Sequence, residues 1–325
     1  MTDRVEAMRS DLERAPQALL DLLEAYDAPD GPMRALDASR SPGGLRRTRQ
    51  FAVRLDGRGL LLPCGRGAGM GGVRIRRRGA AIEGSRARGG LGIRSDERGG
   101  RPRPTPPGTS LVIAVTNVPG SPLAAAADLV LPLVAGVEVA GISTITFRAT
   151  VVVLGLLAAR LGVPMADHGD LWDTVARLDV DSEGANLWVA RAVSSAADLL
   201  DGAPSIDVIG PAARLGAASQ GALMLREGPR LPAHPWETAD WLHSAVYLAL
   251  PGHRALLFTG SPADAEVIDT VRRRGGEIVI VGEASTETPV ALDLPAGDPR
   301  LHTITQSLAV DRLALELWRR VSAEG

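Results

Sequence analysis

The sequence predicts an α/β protein built on parallel sheets, and three observations carry that prediction. From Thr109 onward, short continuous apolar runs alternate with longer amphipathic segments, the pattern of strand–helix units whose sheet is covered on both faces. Gly and Pro mark the joints, as in Asn117–Pro122 and Gly210-Pro211. The 325 residues suit two domains of about 100–200 residues each, and the two halves read as a duplication: each has a strand, a glycine turn, a helix and a further strand.

Taken in order, residues 3–26 form an amphipathic helix, with Val5, Met8, Leu12, Leu19, Leu20, Leu22 and Leu23 at helical spacing and Pro16 as a point of division into two pieces. Met33 begins a second short helix. Strands are expected at 111–116 and 129–134, flanking a short helix at 123–127, and a long apolar helix spans 144–161. Helices follow at 170–178 and 183–201, then a strand at 205–209 and a helix at 212–227. His234-Pro235 breaks the chain before a helix at 237–246. Strand 255–259, helix 262–274, strands 277–281 and 290–294, and a helix at 302–322 complete the chain.

One stretch does not fit this texture. Residues 41–108 hold 16 of the 36 basic residues and four acids, a local excess of +12 in a chain of net charge −2. Its apolar runs are short and without period, the composition of a segment that cannot bury enough surface to order itself. Arg/Gly-rich, lysine-free text is also what a GC-rich coding region yields in a shifted reading frame. The expected organisation is therefore N-terminal helices over 1–42, a disordered or frame-shifted part of the first lobe over 43–107, its remainder over 108–180, and a second lobe over 181–325. A genuine Arg/Gly insertion binding RNA through phosphate charge and arginine stacking is a remote alternative: the stretch has one aromatic, Phe51, and no regular repeat.

Composition excludes several classes. A net charge of −2 speaks against a globally basic nucleic-acid binder. One cysteine, Cys64, leaves no disulfide framework and no multi-cysteine metal site. The chain has no lysine, which excludes any mechanism that needs a lysine amine. The N-terminal segment carries acids throughout and has no apolar core, so it does not read as a signal peptide. The longest apolar run, 149–159, falls well short of the roughly 20 residues that span a bilayer. The expectation is a cytoplasmic protein with no membrane contact, no metal and no cofactor. Asp167-His168-Gly169-Asp170 reads as a polar loop opening a helix rather than as a metal site.

The segment 115–145 carries the chemistry. Asn117-Val118-Pro119-Gly120-Ser121 ends a strand, and Ala135-Gly136, Glu138, Gly141 and Ser143-Thr144 lead into a long helix. Small residues, hydroxyls and a helix N-terminus together make a site suited to a phosphorylated sugar, and Ser143 is placed to cap the helix. This segment resembles the sugar isomerase (SIS) domain family, and within it the isomerase half of glucosamine-6-phosphate synthases. The family's lysine after Ser-Thr is Ile145 here. The resemblance implies two flavodoxin-like lobes, a phosphosugar or amino-sugar ligand, pairing as a homodimer, and Ser121, Gly141, Ser143 and Thr144 as substrate-binding residues.

Two further stretches extend the resemblance. Gln220–Glu227 matches a family helix whose final glutamate moves a proton between sugar carbons, which assigns that role to Glu227. Asp240-Trp241-Leu242-His243 matches a segment whose histidine opens the sugar ring, which assigns that role to His243. A carboxylate and an imidazole suit aldose–ketose isomerisation. Departures are equally specific. The family's serine-rich phosphate loop does not appear in 43–100, Gly-Pro after the histidine is Ser244-Ala245, and the family's C-terminal lysine and its glutaminase cysteine have no counterpart. The expected function is thus phosphosugar binding with isomerase- or deaminase-like chemistry, and a sensing module without turnover is the alternative.

Overall fold

A computed structural model describes residues 2–34, 50–55, 58–63, 111–161, 168–176, 178, 183–282, 290–292 and 298–324. They fall into two compact units. The first comprises Met1–Asp21, Ala135–Ala159 and Pro164–Gly325, and the second Leu22–Val134 and Arg160–Val163.

The second unit holds a four-stranded sheet. Its strands are β1 (Gln50–Leu55), β2 (Arg58–Pro63), β3 (Leu111–Thr116) and β4 (Leu129–Pro132), in the order β2-β1-β3-β4. β3 runs parallel to β1 and β4, with Ile113 opposite Leu129, while β1 and β2 form an antiparallel hairpin. This hairpin lies inside the Arg/Gly-rich stretch, to which the sequence reading assigned no elements. The rest of that stretch lies outside the described residues, as does most of the helix expected from Met33. Between β3 and β4 runs α2 (Pro122–Ala125), and Ile113, Ala114, Val115 and Leu131 are buried.

The first unit holds a five-stranded, wholly parallel sheet. Its strands are β5 (Ile206–Gly210), β6 (Ala233–Glu237), β7 (Arg254–Phe258), β8 (Glu277–Val281) and β9 (Ala291–Leu292), in the order β6-β5-β7-β8-β9. The central strands are mainly apolar, as burial on both faces requires, with the acid Asp207 within β5. The helices are α3 (Ile145–Arg160), α4 (His168–Ala176), α5 (Glu183–Leu200), α6 (Leu215–Glu227), α7 (Thr238–His243), α8 (Asp264–Arg273) and α9 (His302–Glu324). No helix of the described residues is long and apolar enough to cross a membrane.

Two expectations are corrected. His234-Pro235 is not a chain break but part of β6, with Pro235 opposite Val208. β6 is the sheet's edge strand, the position where a missing ladder donor is tolerated. The N-terminal helix α1 (Thr2–Asp27) is not divided at Pro16. Met8, Leu12, Ala15, Leu19, Leu22 and Leu23 are all buried, and packing along the whole stripe holds the helix straight through a residue that removes one of its hydrogen bonds.

Candidate functional site

The segment 135–144 is a loop wound by glycine and clamped from both sides. Gly136 and Gly141 adopt φ of +66° and +67°, conformations open to glycine at little cost. Three side chains of α1 hold it. The buried Asp11 carboxylate accepts hydrogen bonds from the amides of Val139 (3.2 Å) and Ala140 (2.9 Å). Arg14 donates to the Val137 carbonyl at 2.7 Å and to Asp11 at 3.0 Å, and Arg4 donates to the Ala140 carbonyl at 3.1 Å.

Inside the loop, Glu138 does the work expected of Ser143. Its Oε1 accepts from the amides of Thr144 (2.5 Å) and Ile145 (2.6 Å) and from the Thr144 hydroxyl (3.0 Å), and its Oε2 from the Thr146 hydroxyl (2.6 Å). The helix starts at Ile145, so Ser143 lies one residue too early to cap it, and a carboxylate there also complements the helix dipole. Two of the amides that could cradle a phosphate, those of Thr144 and Ile145, are therefore occupied by the chain's own anion. Thr144 is fully buried with its hydroxyl spent. At the surface the loop exposes Gly136, Val137, Val139 and Gly141, the last with open space where a side chain would be, and it leaves Ser143 half-buried.

Helix α6 joins the loop to the candidate base. Gln220, buried, donates from Nε2 to the Ser143 carbonyl at 2.6 Å, and Glu227 ends the same helix two turns later. Glu227 is exposed overall, yet its carboxyl is crowded enough that burial raises its pKa above the ordinary value, against the opposing charges of Arg226 and Arg4. Arg226 is turned away, donating to the Ala233 carbonyl of β6 at 2.6 Å. Arg4 sits over the Trp318 ring, 5.5 Å from its centroid. The same indole closes on Gly228, where a Cβ would lie 3.1 Å from Trp318 Cε3. Loop, α1, α6 and α9 thus converge around Glu227.

His243 ends α7 and is exposed, with no hydrogen bond to Glu227 or to the 135–144 loop among the described residues. What fixes α7 is deeper. The Asp207 carboxylate of β5 accepts from Trp236 Nε1 at 2.9 Å and from Trp241 Nε1 at 2.8 Å, and His253 Nε2 lies 3.4 Å from the same carboxylate. Glu237 caps the helix by accepting from the amides of Ala239 and Asp240. Ser121 belongs to the other unit, where its hydroxyl caps α2 by accepting from the Ala124 amide at 3.2 Å. Asp170 lies in the first turn of α4 and pairs with Arg300 at 3.2 Å.

Beneath the loop, Arg148 and Asp311 form a buried ion pair, and Arg148 Nη1 also donates to the Thr144 carbonyl at 3.0 Å. Burial pushes the Asp311 carboxyl up to about 6, against the pull of Arg148.

Sequence reasoning passed over Asp11, Arg14 and Arg4, and it named Gln220 without its contact to the loop. The signal for Asp11 is present: a carboxylate between Met8 and Leu12 on the apolar stripe of a helix needs a polar partner, since buried acids are almost never unpaired. Nothing local to Arg4 marks it.

No protein-family model matches the chain. Among curated relatives, the glutamine–fructose-6-phosphate aminotransferase (isomerizing) of Symbiobacterium thermophilum is 31% identical over 225 residues, 66% of this chain and 37% of that protein. That of Aeropyrum pernix is 28% identical over 193 residues, 57% of this chain and 31% of that protein. The chain spans about a third of the length of these relatives. Among solved structures, the C-terminal domain of glucosamine-fructose-6-phosphate aminotransferase from Francisella tularensis superposes with a TM-score of 0.54 at 17% identity, covering 66% of this chain and 64% of that one. Tagatose-6-phosphate ketose/aldose isomerase from Escherichia coli gives 0.52 at 14%, covering 66% and 62%. These likenesses show the fold: a parallel-sheet α/β arrangement shared with enzymes named for sugar phosphates.

Proposed function

We propose that this chain is a phosphosugar-binding protein of the SIS type, built as two lobes, with isomerase- or deaminase-like chemistry centred on Glu227. The observation that supports it best is the Gln220–Ser143 hydrogen bond. It ties the helix bearing the carboxylate to the loop bearing the exposed glycine and serine. A sugar phosphate or amino-sugar phosphate lies against Gly141 and Ser143, with its carbonyl end toward Glu227. The carboxylate removes the proton from the carbon beside the carbonyl, that electron pair forms the enediol double bond, and the carbonyl pair moves to its oxygen, which takes up a proton; the neighbouring hydroxyl then gives up its proton as it becomes the new carbonyl, and the same carboxyl returns its proton to the former carbonyl carbon. No net oxidation occurs and no cofactor is needed. A carboxyl whose pKa is raised toward neutrality is suited to both halves of that transfer. His243 relays the ring hydroxyl proton that opens the sugar. A homodimer in the cytoplasm is the expected setting.

Binding without turnover is the second reading. It is supported by the exposed His243, which no neighbour orients among the described residues and which Ser244-Ala245 follows. Calorimetric titration with fructose-6-phosphate and glucosamine-6-phosphate tests the common part: one of them should bind, and the Ser143→Ala variant should bind it more weakly. Equal affinity of the variant would remove Ser143 from the site. An assay of fructose-6-phosphate to glucose-6-phosphate conversion separates the two readings.

A further inference from the structure

Arg4 is an exposed arginine held in a fixed place. One N–H is committed to the Ala140 carbonyl at 3.1 Å, and the guanidinium plane lies over Trp318. A guanidinium carries five N–H donors in a rigid fork, and among the described residues no hydrogen bond joins Arg4 to a carboxylate, although its charge acts on Glu227. Its carbonyl contact belongs to the loop that presents Gly141 and Ser143, and its aromatic seat abuts Gly228, the residue after Glu227. The other arginine beside Glu227, Arg226, spends its fork on β6. Arg9, about one turn further along α1, is paired with Glu6 at 3.3 Å. Pre-orientation matters here, because a flexible cation must lose rotamer freedom when it grips an anion and a seated one has already lost much of it.

We infer that Arg4 is the cation that binds the phosphate of the sugar phosphate, donating from its uncommitted N–H groups to the phosphate oxygens. The inference rests on the phosphosugar reading above and adds to it the residue that recognises the charged end. The Thr144 and Ile145 amides at the start of α3 are closed to the phosphate by Glu138, whereas Arg4 stands open beside the loop. Such charge-assisted hydrogen bonds are individually strong and are screened by salt.

The test is titration of the full chain with fructose-6-phosphate, and with fructose as the phosphate-free control, at two salt concentrations. Arg4→Gln should weaken fructose-6-phosphate about tenfold or more, leave fructose unchanged and flatten the salt dependence. Arg4→Lys should recover part of the loss, since charge returns without the fork. Arg9→Gln should match the parent protein. Equal fructose-6-phosphate affinity in Arg4→Gln and the parent overturns the inference while the binding reading stands, as does an equal loss for fructose, which would make Arg4 a prop for the loop. Absence of binding by the parent to both fructose-6-phosphate and glucosamine-6-phosphate overturns the phosphosugar reading itself. If Arg4→Gln does not fold, an Arg4→Lys variant indistinguishable from the parent in affinity and salt dependence counts against the fork.

Discussion

Arg148 of α3 and Asp311 of α9, 163 residues apart in the chain, meet at 2.5 Å with both side chains buried. The pair links the helix that begins under the site loop to the C-terminal helix. Two of its atoms, Arg148 Nε and Asp311 Oδ1, have no hydrogen-bond partner among the described residues. Such a pair contributes little net stability against an apolar replacement but is costly to break from one side. Arg148→Met alone should destabilise the protein by about 3–5 kcal/mol, with Asp311 left uncompensated. Adding Asp311→Leu should return most of that loss. Urea midpoints of the parent, the two single variants and the double variant measure the coupling. Additive losses would show that the ion pair is not what joins these helices.

His253 gives the fold a pH dependence of known sign. Burial lowers its pKa below 6.5, outweighing the attraction of Asp207, and Arg254 adds to the lowering. A histidine held neutral in the native state contributes stability that is complete above its unfolded pKa and is lost as pH falls through it. The parent should therefore lose stability relative to His253→Gln as pH drops below about 6.5, and the difference should be constant above that. Asp311 acts in the opposite sense, since its raised pKa makes the native state take up a proton first, and comparing parent with variant cancels it. A parent–variant difference that stays flat from pH 8 to pH 5 would rule His253 out as the source.

Much of this architecture was legible in the chain because period and burial follow directly from residue type. β3, β7 and β8 carry apolar runs that admit one environment, and α3 to α6 fall where helical spacing placed them, within a residue or two at most ends. β6 was not legible. Ala-His-Pro-Trp-Glu has neither alternation nor an apolar run, and it becomes a strand because β5 offers it an edge. The uninterrupted α1 likewise depends on partners that the Pro16 rule does not see.

The candidate site divides the same way. Glu227, His243 and the 135–144 motif were visible as residue types in a pattern. The clamps were not, because Asp11, Arg14 and Arg4 meet the loop across more than 120 residues of sequence. That Glu138 rather than Ser143 closes the helix also escaped a local reading: capping preferences single out Ser and Thr beside the helix, and here an acid six residues before Thr144 folds back.

Glu138 should therefore govern both stability and ligand affinity. Four hydrogen bonds converge on one carboxylate, two of them from the amides of Thr144 and Ile145. Glu138→Gln keeps the size but replaces one acceptor oxygen with a donor that faces donors. The expected cost is about 2–3 kcal/mol, in the range for hydrogen bonds to a charged group, with weaker fructose-6-phosphate binding as Ser143 loses its place. Thermal melting and titration read the two effects. A variant that melts with the parent and binds as tightly would show that the loop is held by the α1 clamps alone.

Glu227 decides between turnover and binding. If it is the base, Glu227→Gln should retain fructose-6-phosphate affinity within a few-fold while isomerisation falls by about 10²–10⁴, the contribution typical of a positioned general base. Because burial raises the Glu227 pKa above its ordinary value, the acid limb of the parent's pH–rate profile should lie above that of an ordinary glutamate. The charge that must be lost for catalysis to fail is that of the carboxylate, so activity falls as pH drops through this limb. Glu227→Asp shortens the reach by one methylene and should keep the limb while lowering the rate, as geometry dominates proton transfer from carbon. A Glu227→Gln protein that turns over at the parent's rate would place the base elsewhere. A parent with tight binding and no measurable conversion at any pH would establish the chain as a binding protein whose Glu227 carboxylate stands beside the sugar without exchanging its proton.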